Sequence, residues 1–235
     1  MKMSSRIGLL VAGLAVAAAT AGSAGATNEC AGLQTCVPVA GPWVVVPTGT
    51  GASRPQVDYQ LSCPKGFVVG GTDVEVSDRA IDVAFLGLSG SPVNPGVTTA
   101  RALVFVASYV GGRAAVPSFR PHVGCLPSAG GGGRVPTAVR PVAVGQPTVR
   151  RARQVRLAPG VRSIRQGCAR GERLVGGWSA VGFYQSNPPT PAVANAVRVS
   201  RAVSGAKIVA VVRSGSAVSS VHAVFQLGAV CAGGT

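Results

Sequence analysis

The cysteines of this chain, six in number, constrain its fold more than any other feature. They are Cys30, Cys36, Cys63, Cys125, Cys168 and Cys231. An even number of cysteines behind an export signal is typical of a disulfide framework. The third and fourth are 62 residues apart and the last two are 63 apart. These matching spacings predict the pairs Cys63–Cys125 and Cys168–Cys231, and they leave Cys30–Cys36 as a local pair. A metal site is the alternative, but the chain has two histidines, His122 and His222, and no CxxC pair.

The first residues have the order of a secretory signal peptide. Lys2 and Arg6 form a short positive segment, residues 7–20 carry no charge, and Ala24-Gly25-Ala26 fits a cleavage site. The apolar run is shorter than the roughly 20 residues that a spanning helix needs. We therefore expect a signal peptide over residues 1–26 and no transmembrane segment after its removal. The mature protein is expected to be secreted, either free or held non-covalently at the cell envelope.

An internal repeat accompanies the cysteine spacings. Residues 63–71 and 168–177 each contain a cysteine, a basic residue, a glycine, an apolar pair and then Gly-Gly. A phenylalanine stands six residues before each closing cysteine, as Phe119 and Phe225. These anchors are offset by 105 or 106 residues, which indicates a duplication. Gly66 and Gly171 are expected in turns that need positive φ, and the Gly-Gly pairs at a strand's end with a bulge or close backbone approach.

The motif resembles that of a loose class of secreted proteins from high-GC bacteria. These proteins carry repeated Cys-Pro-x-Gly-x-x-Val-x-Gly-Gly elements, each followed by strands and a closing cysteine. The resemblance covers roughly residues 43–233, and the second copy departs from it, with Ala169 in place of proline and an extra residue before Gly-Gly. It implies a fold and a compartment but no activity.

Short valine-rich runs separated by glycine and proline predict many short strands. We therefore predict an all-β protein with two tandem, disulfide-stapled repeats of β-sandwich or jelly-roll type, although the two copies could instead close one shared sandwich. Residues 27–126 would hold an N-terminal segment and the first repeat. Residues 127–147 would form a Gly/Pro-rich linker, and residues 148–235 the second repeat.

The charge of the chain is strongly basic and unevenly distributed. The formal net charge is +15, of which Lys2 and Arg6 contribute two, and 17 basic residues but a single acid follow Val83. This pattern favours attraction to an anionic polymer of the envelope, although a GC-rich coding sequence would also enrich arginine. Specific nucleic-acid recognition is not expected, because no such motif appears and aromatics do not interleave with the basic run. The candidate polyanion-binding residues are Arg150, Arg151, Arg153, Arg156, Arg162 and Arg165.

No catalytic constellation stands out, and no cofactor or metal is expected. The GxSxG and HExxH patterns are absent, and nothing brings His122 or His222 to a serine and a carboxylate. The acidic residues of the first copy alternate with valines and could bind Ca²⁺ or act as paired carboxylates. Such alternation more often marks only the solvent-exposed face of a strand. These acids are Asp73, Glu75, Asp78 and Asp82.

Three functions remain in order of preference. The first is a non-enzymatic structural or adhesive module with affinity for anionic polymers. The second is a carbohydrate-binding protein in which Trp178 and Tyr184, beside a Ser-Asn-Pro-Pro loop, stack on sugar rings. The third is a secreted hydrolase that uses Asp73, Glu75 or Asp82.

Overall fold

The structure, a computed structural model, describes residues 28–33, 35–49, 54–86, 101–112, 116–127 and 148–233. The predicted signal peptide, residues 1–26, lies outside these residues, as does the predicted linker apart from Pro127. In the part of the chain that is described, no helix is both long enough and apolar enough to cross a membrane.

The described chain is almost entirely β-structure, which confirms the predicted fold class. The branched side chains of valine favour the extended backbone, and glycine and proline interrupt it. Besides one short helix, α1 (Pro191–Asn195), and one 3-10 turn, Ser216–Ser220, the regular elements are strands. They are β1 (Val37–Ala40), β2 (Trp43–Val45), β3 (Gln56–Ser62), β4 (Phe67–Val76), β5 (Ile81–Leu86), β6 (Ala102–Tyr109), β7 (Ser118–Pro127), β8 (Thr148–Arg156), β9 (Gly160–Gly167), β10 (Arg173–Tyr184), β11 (Val197–Ser204), β12 (Lys207–Ser214) and β13 (His222–Ala232).

The two halves of the chain share one pairing scheme. In the first half, residues 37–127, strand β7 pairs with β1, β2 and β4, and a separate sheet has the order β3-β6-β5. In the second half, residues 148–232, strand β13 pairs with β8 and β10, and a separate sheet has the order β11-β12-β9. All of these pairs are antiparallel. The scheme fits a duplication, which itself stays a prediction.

A single seven-stranded sheet runs through both halves. Strand β2 joins them, because Val44 lies opposite Phe119 of β7 and also opposite Gly182 of β10. The halves are therefore not two separate, linked sandwiches. They share the seven-stranded main sheet, and each half adds a three-stranded sheet of its own. This arrangement is close to the shared sandwich that the sequence left open.

Each half packs its own apolar core. In the first half, Phe105 and Leu103 of β6 meet Phe119 and Val123 of β7, and all four are at most 1% exposed. In the second half, Ile208 and Ala210 of β12 belong to the core around Phe225 of β13. Burial of such side chains contributes roughly 1.5–3 kcal/mol each. Alternate residues of the central strands supply these contacts, as expected for strands that are covered on one face by the other sheet.

The three disulfides have the predicted pairing. They are Cys30–Cys36, Cys63–Cys125 and Cys168–Cys231. The two long bridges occupy matching positions. Cys63 and Cys168 stand shortly before β4 and β10, and their partners Cys125 and Cys231 lie in β7 and β13, the last strand of each half. Closing a loop of this length in the unfolded chain stabilises the fold by about 4 kcal/mol on the chain-entropy model.

The repeated glycines confirm one expectation and correct another. Gly66 and Gly171 both have a φ of 86°, in the turns that follow Cys63 and Cys168, as predicted. The Gly-Gly pairs do not end a strand but lie inside β4 and β10, near the start of each. A bulge falls at the same place in both ladders, between Val69 and Gly71 and between Leu174 and Gly176.

Candidate anion-binding face

The outer surface of the sheet β11-β12-β9 carries four cationic side chains and no acid. In β12, Ile208, Ala210 and Val212 are buried, so Lys207 and Arg213 face away from the core. Residues directly opposite one another in a ladder share a face, which places Arg198 of β11 and Arg165 of β9 on the same surface. We call the outward residues of these three strands the basic face. They are Val161, Ser163, Arg165, Gly167, Arg198, Ser200, Ala202, Ser204, Lys207, Val209, Val211 and Arg213.

Two arginines of the basic face lie directly opposite each other. Arg198 and Arg213 are Cα partners in the β11–β12 ladder, and both are exposed. Like charges at directly opposite positions destabilise a sheet, because their Cβ atoms are only about 4.5–5.5 Å apart. No acid follows Glu172 in the sequence, so neither strand supplies a compensating carboxylate. An external anion would relieve this repulsion.

An open depression of about 350 Å³ lies at the other end of the basic face. Arg165, Ser204, Ala206, Lys207 and Val209 line it. Two cationic groups and a hydroxyl around an apolar floor can bind a phosphate or carboxylate group by charge-assisted hydrogen bonds. Among the described residues, none of the ion pairs involves Arg165 or Lys207.

Four of the six arginines that the sequence singled out are exposed. Arg165 belongs to the basic face, Arg153 and Arg156 are exposed in β8, and Arg162 is exposed in β9. Arg162 Nη1 donates a hydrogen bond to the backbone oxygen of Arg156, at 3.2 Å. Arg156 and Arg162 therefore add positive charge near the turn between β8 and β9, beside the basic face rather than on it.

The other two arginines are paired with acids of the protein, Arg150 largely buried and Arg151 partly exposed. Arg150 Nη1 lies 2.8 Å from Asp58 Oδ2, and its guanidinium carbon lies 5.2 Å from the centre of the Trp178 ring. Arg151 binds Glu172 through two hydrogen bonds. These two side chains neutralise acids of the protein itself, so they are poorly placed to hold an external polymer.

The two aromatics that were predicted to stack on sugars do not form an exposed platform. Trp178 is 4% exposed, and its Nε1 donates a hydrogen bond to Gln226 Oε1 at 3.2 Å. Tyr184 is half-buried against His222, with ring centres 5.0 Å apart, and its hydroxyl adjoins Tyr59. Burial, and then the neighbouring Tyr184, raises the pKa of Tyr59 well above its ordinary value. These rings pack within the protein rather than around a ligand.

The candidate carboxylates have structural partners. Asp73 accepts hydrogen bonds from the backbone N–H groups of Val74, at 2.7 Å, and Asn28, at 2.6 Å. Glu75 lies 2.8 Å from His122 Nε2 on the same face of the β4–β7 pair. Asp82 stands in β5, which belongs to another sheet. Asp78 accepts a hydrogen bond from the N–H of Ala80 in the following turn.

One group of three possible metal ligands occurs among the described residues. It consists of Cys168, Glu172 and Cys231, but the two sulfur atoms are bonded to each other in a disulfide. Metal binding by cysteine needs thiolates, so this group is not suited to hold an ion. The acids Asp73, Glu75, Asp78 and Asp82 do not form such a group with His122 or with one another.

Sequence reasoning missed three of the four cations on the basic face and the hydroxyl of Ser204. Arg198, Lys207, Arg213 and Ser204 lie beyond the dense arginine run, and each looked like an isolated polar residue in a valine-rich strand. The signal was the alternation within β12, where charged residues stand an even number of positions apart. That alternation fixes the face of one strand, but only the register of the three strands brings the cations together.

Comparison of the chain with protein-family models, with curated proteins and with solved structures finds no match. The choice of the basic face as the candidate binding site therefore depends on its geometry and charge alone.

Proposed function

We propose that this protein is an exported, non-enzymatic envelope module that binds an anionic polymer through the basic face. The observation that carries the proposal is the exposed pair Arg198 and Arg213, opposite each other with no acid on either strand. A fold tolerates such repulsion at a binding surface, where the ligand rather than the protein supplies the opposite charge. The depression at Arg165 and Lys207 gives the same polymer a second contact.

The polymer class follows from the shape and chemistry of this face. A flat, three-stranded surface with guanidinium groups, an ammonium group and serine hydroxyls suits a flexible chain of phosphate or carboxylate groups. Polyol-phosphate polymers of a bacterial wall fit this description. Export agrees with the three disulfides, because such bridges form and persist outside the reducing cytoplasm.

The experiment is a salt series of binding to isolated cell envelopes and to a purified polyol-phosphate polymer. The oxidised mature chain should bind at low salt, with log K falling linearly as log salt rises. The double variant Arg198→Gln/Arg213→Gln should bind more weakly, and its slope should be lower by about 1.4, at roughly 0.7 per lost phosphate contact.

The matched control removes the same charge from the first half. Arg54 and Arg79 are both exposed, so Arg54→Gln/Arg79→Gln changes the net charge equally at another surface. The control should keep the original slope and affinity. Equal loss in both double variants would show that net charge alone attracts the polymer, and the basic face would then not be its site. Binding that resists high salt would also contradict the proposal.

A further inference from the structure

The four cations of the basic face fall into two clusters near opposite ends of β12. Arg198 and Arg213, which lie directly opposite each other, form the first cluster, and we call them the arginine pair. Arg165 and Lys207 form the second cluster, beside the open depression that they line. In the β12–β9 ladder Arg165 lies opposite Val209, and Lys207 stands two residues before Val209 in β12. The face therefore offers two separate places for an anionic group.

The two clusters are too far apart for one phosphate or carboxylate group to contact both. At about 3.3 Å per residue, Arg213 lies about 13 Å along β12 from Val209 and about 20 Å from Lys207. Side chains of strand residues stand roughly perpendicular to their sheet, so the cationic groups keep about this separation. A charge-assisted hydrogen bond spans only about 2.7–2.9 Å. Simultaneous contact with both clusters therefore requires two anionic groups.

The surface between the clusters is uncharged and carries two exposed hydroxyl groups. Ser200 of β11 lies opposite Val211 of β12, and Ser163 of β9 lies opposite the same residue on the other side. Both serines are exposed. A serine hydroxyl has one donor and two acceptor positions, so these serines can bind the hydroxyl groups of a polyol. Along β12, the order of the face is thus a cation cluster, a row of hydroxyls and a second cation cluster.

We propose that the basic face holds a chain ligand lengthwise along β12. One anionic group of the ligand binds at the arginine pair and another binds in the depression. The hydroxyl-bearing segment between them lies over Ser163 and Ser200. This binding mode rests on the proposed function and adds to it the orientation and the minimum length of the ligand. A single phosphate fills one cluster at a time, whereas a polyol-phosphate chain long enough to span β12 fills both.

Bridging raises the affinity because the second contact becomes intramolecular. Once one anionic group is bound, the second is held near its own cluster at an effective concentration in the millimolar range, provided that the linker reaches. A linker that cannot reach gives no gain. Contacts between exposed charges are individually weak, so we expect the gain in affinity to be about tenfold.

The test uses two peptides, each with two phosphoserines, that differ only in the length of the glycine–serine spacer between them. One spacer residue holds the phosphoserines at most about 7 Å apart, which is too short to bridge the clusters. A spacer of about twelve residues has a root-mean-square span of about 20 Å, which matches the separation. Both peptides carry the same charge. Calorimetric titration of the oxidised mature chain at low salt should give a dissociation constant about tenfold lower for the long peptide.

Two double variants identify the clusters, and each removes two positive charges from exposed side chains. Arg198→Gln/Arg213→Gln and Arg165→Gln/Lys207→Gln should each weaken binding of the long peptide about tenfold, because loss of either cluster ends the bridging. The short peptide binds one cluster at a time, so at most one of the two variants should weaken its binding by more than about twofold. A circular-dichroism spectrum unchanged from that of the unaltered chain shows that a variant is folded.

The matched control, Arg54→Gln/Arg79→Gln, removes the same charge from the first half and should leave the affinity for both peptides unchanged. Equal affinity for the two peptides overturns the bridging mode, as does a long peptide that only one double variant weakens. The salt series with the polymer then still decides the proposed function. Failure of both peptides to bind also overturns the bridging mode. Equal weakening of the long peptide by the control and by both double variants would show that net charge alone acts, which overturns both proposals.

Discussion

At the residue scale, Glu172 is the acid whose protonation the fold most clearly opposes. Its carboxylate accepts two hydrogen bonds from Arg151 and one from the N–H of Ala169, at 2.7 Å. These bonds, first those of Arg151 and then that of Ala169, lower the pKa of Glu172 from its ordinary value. The pair holds β8 against the turn that precedes β10.

This lowered pKa makes one contribution to stability depend on pH. A group whose pKa is lower in the folded state stabilises the fold above its unfolded pKa, and the contribution is lost as pH falls through the folded value. We therefore expect Glu172→Gln to be less stable than the unaltered chain at neutral pH, and the two to converge in strong acid. Urea unfolding across the acid range measures this difference. A gap that persists at the lowest pH would assign the effect to packing.

At the scale of strands, the repulsion between Arg198 and Arg213 lowers the stability of the β11–β12 ladder, and the anionic polymer proposed as a ligand would offset this repulsion. Arg198→Thr removes the repulsion from Arg213 and adds a branched residue that favours strands. We expect it to raise the free energy of unfolding by about 0.5 kcal/mol at low salt. The gain should shrink at high salt, where exposed charges are screened. Thermal unfolding measures it, and Arg198→Lys, which keeps the charge, should show no gain.

Strands could be predicted from local patterns and disulfides from a repeated spacing. Which side chains each sheet buries and which it exposes could not be predicted. The pairing of Cys63 with Cys125 followed from a spacing that occurs twice, and Gly66 from a turn that needs a positive φ. Trp178 shows the limit. Its neighbours in sequence suggested an exposed loop, but Gly228 of the adjacent strand leaves room for the ring, and Gln226 receives its N–H. Register and the packing of sheets, which decide burial, are long-range properties.

At the scale of the whole molecule, the halves depend on each other. The main sheet crosses their boundary at β2 and β10, and Gln226 satisfies three polar groups: the N–H and C=O of Gln60 and the indole N–H of Trp178. Separation of the halves would leave the N–H and C=O of Gln60 and the amide of Gln226 without these partners, at about 1–3 kcal/mol each when they stay buried. One half therefore cannot unfold without a penalty in the other.

This coupling predicts a single unfolding transition even when one half alone is weakened. Removal of the first long bridge by Cys63→Ser/Cys125→Ser should lower the free energy of unfolding by about 4 kcal/mol, and removal of Cys30–Cys36 by about 2 kcal/mol. Trp43 and Trp178 are both buried near the junction, so their fluorescence reports its opening. Fluorescence and circular dichroism should follow the same denaturation curve in the first variant. Two separate curves, the later one at the midpoint of the unaltered chain, would mean that the second half stands alone and that the shared sheet does not couple the copies.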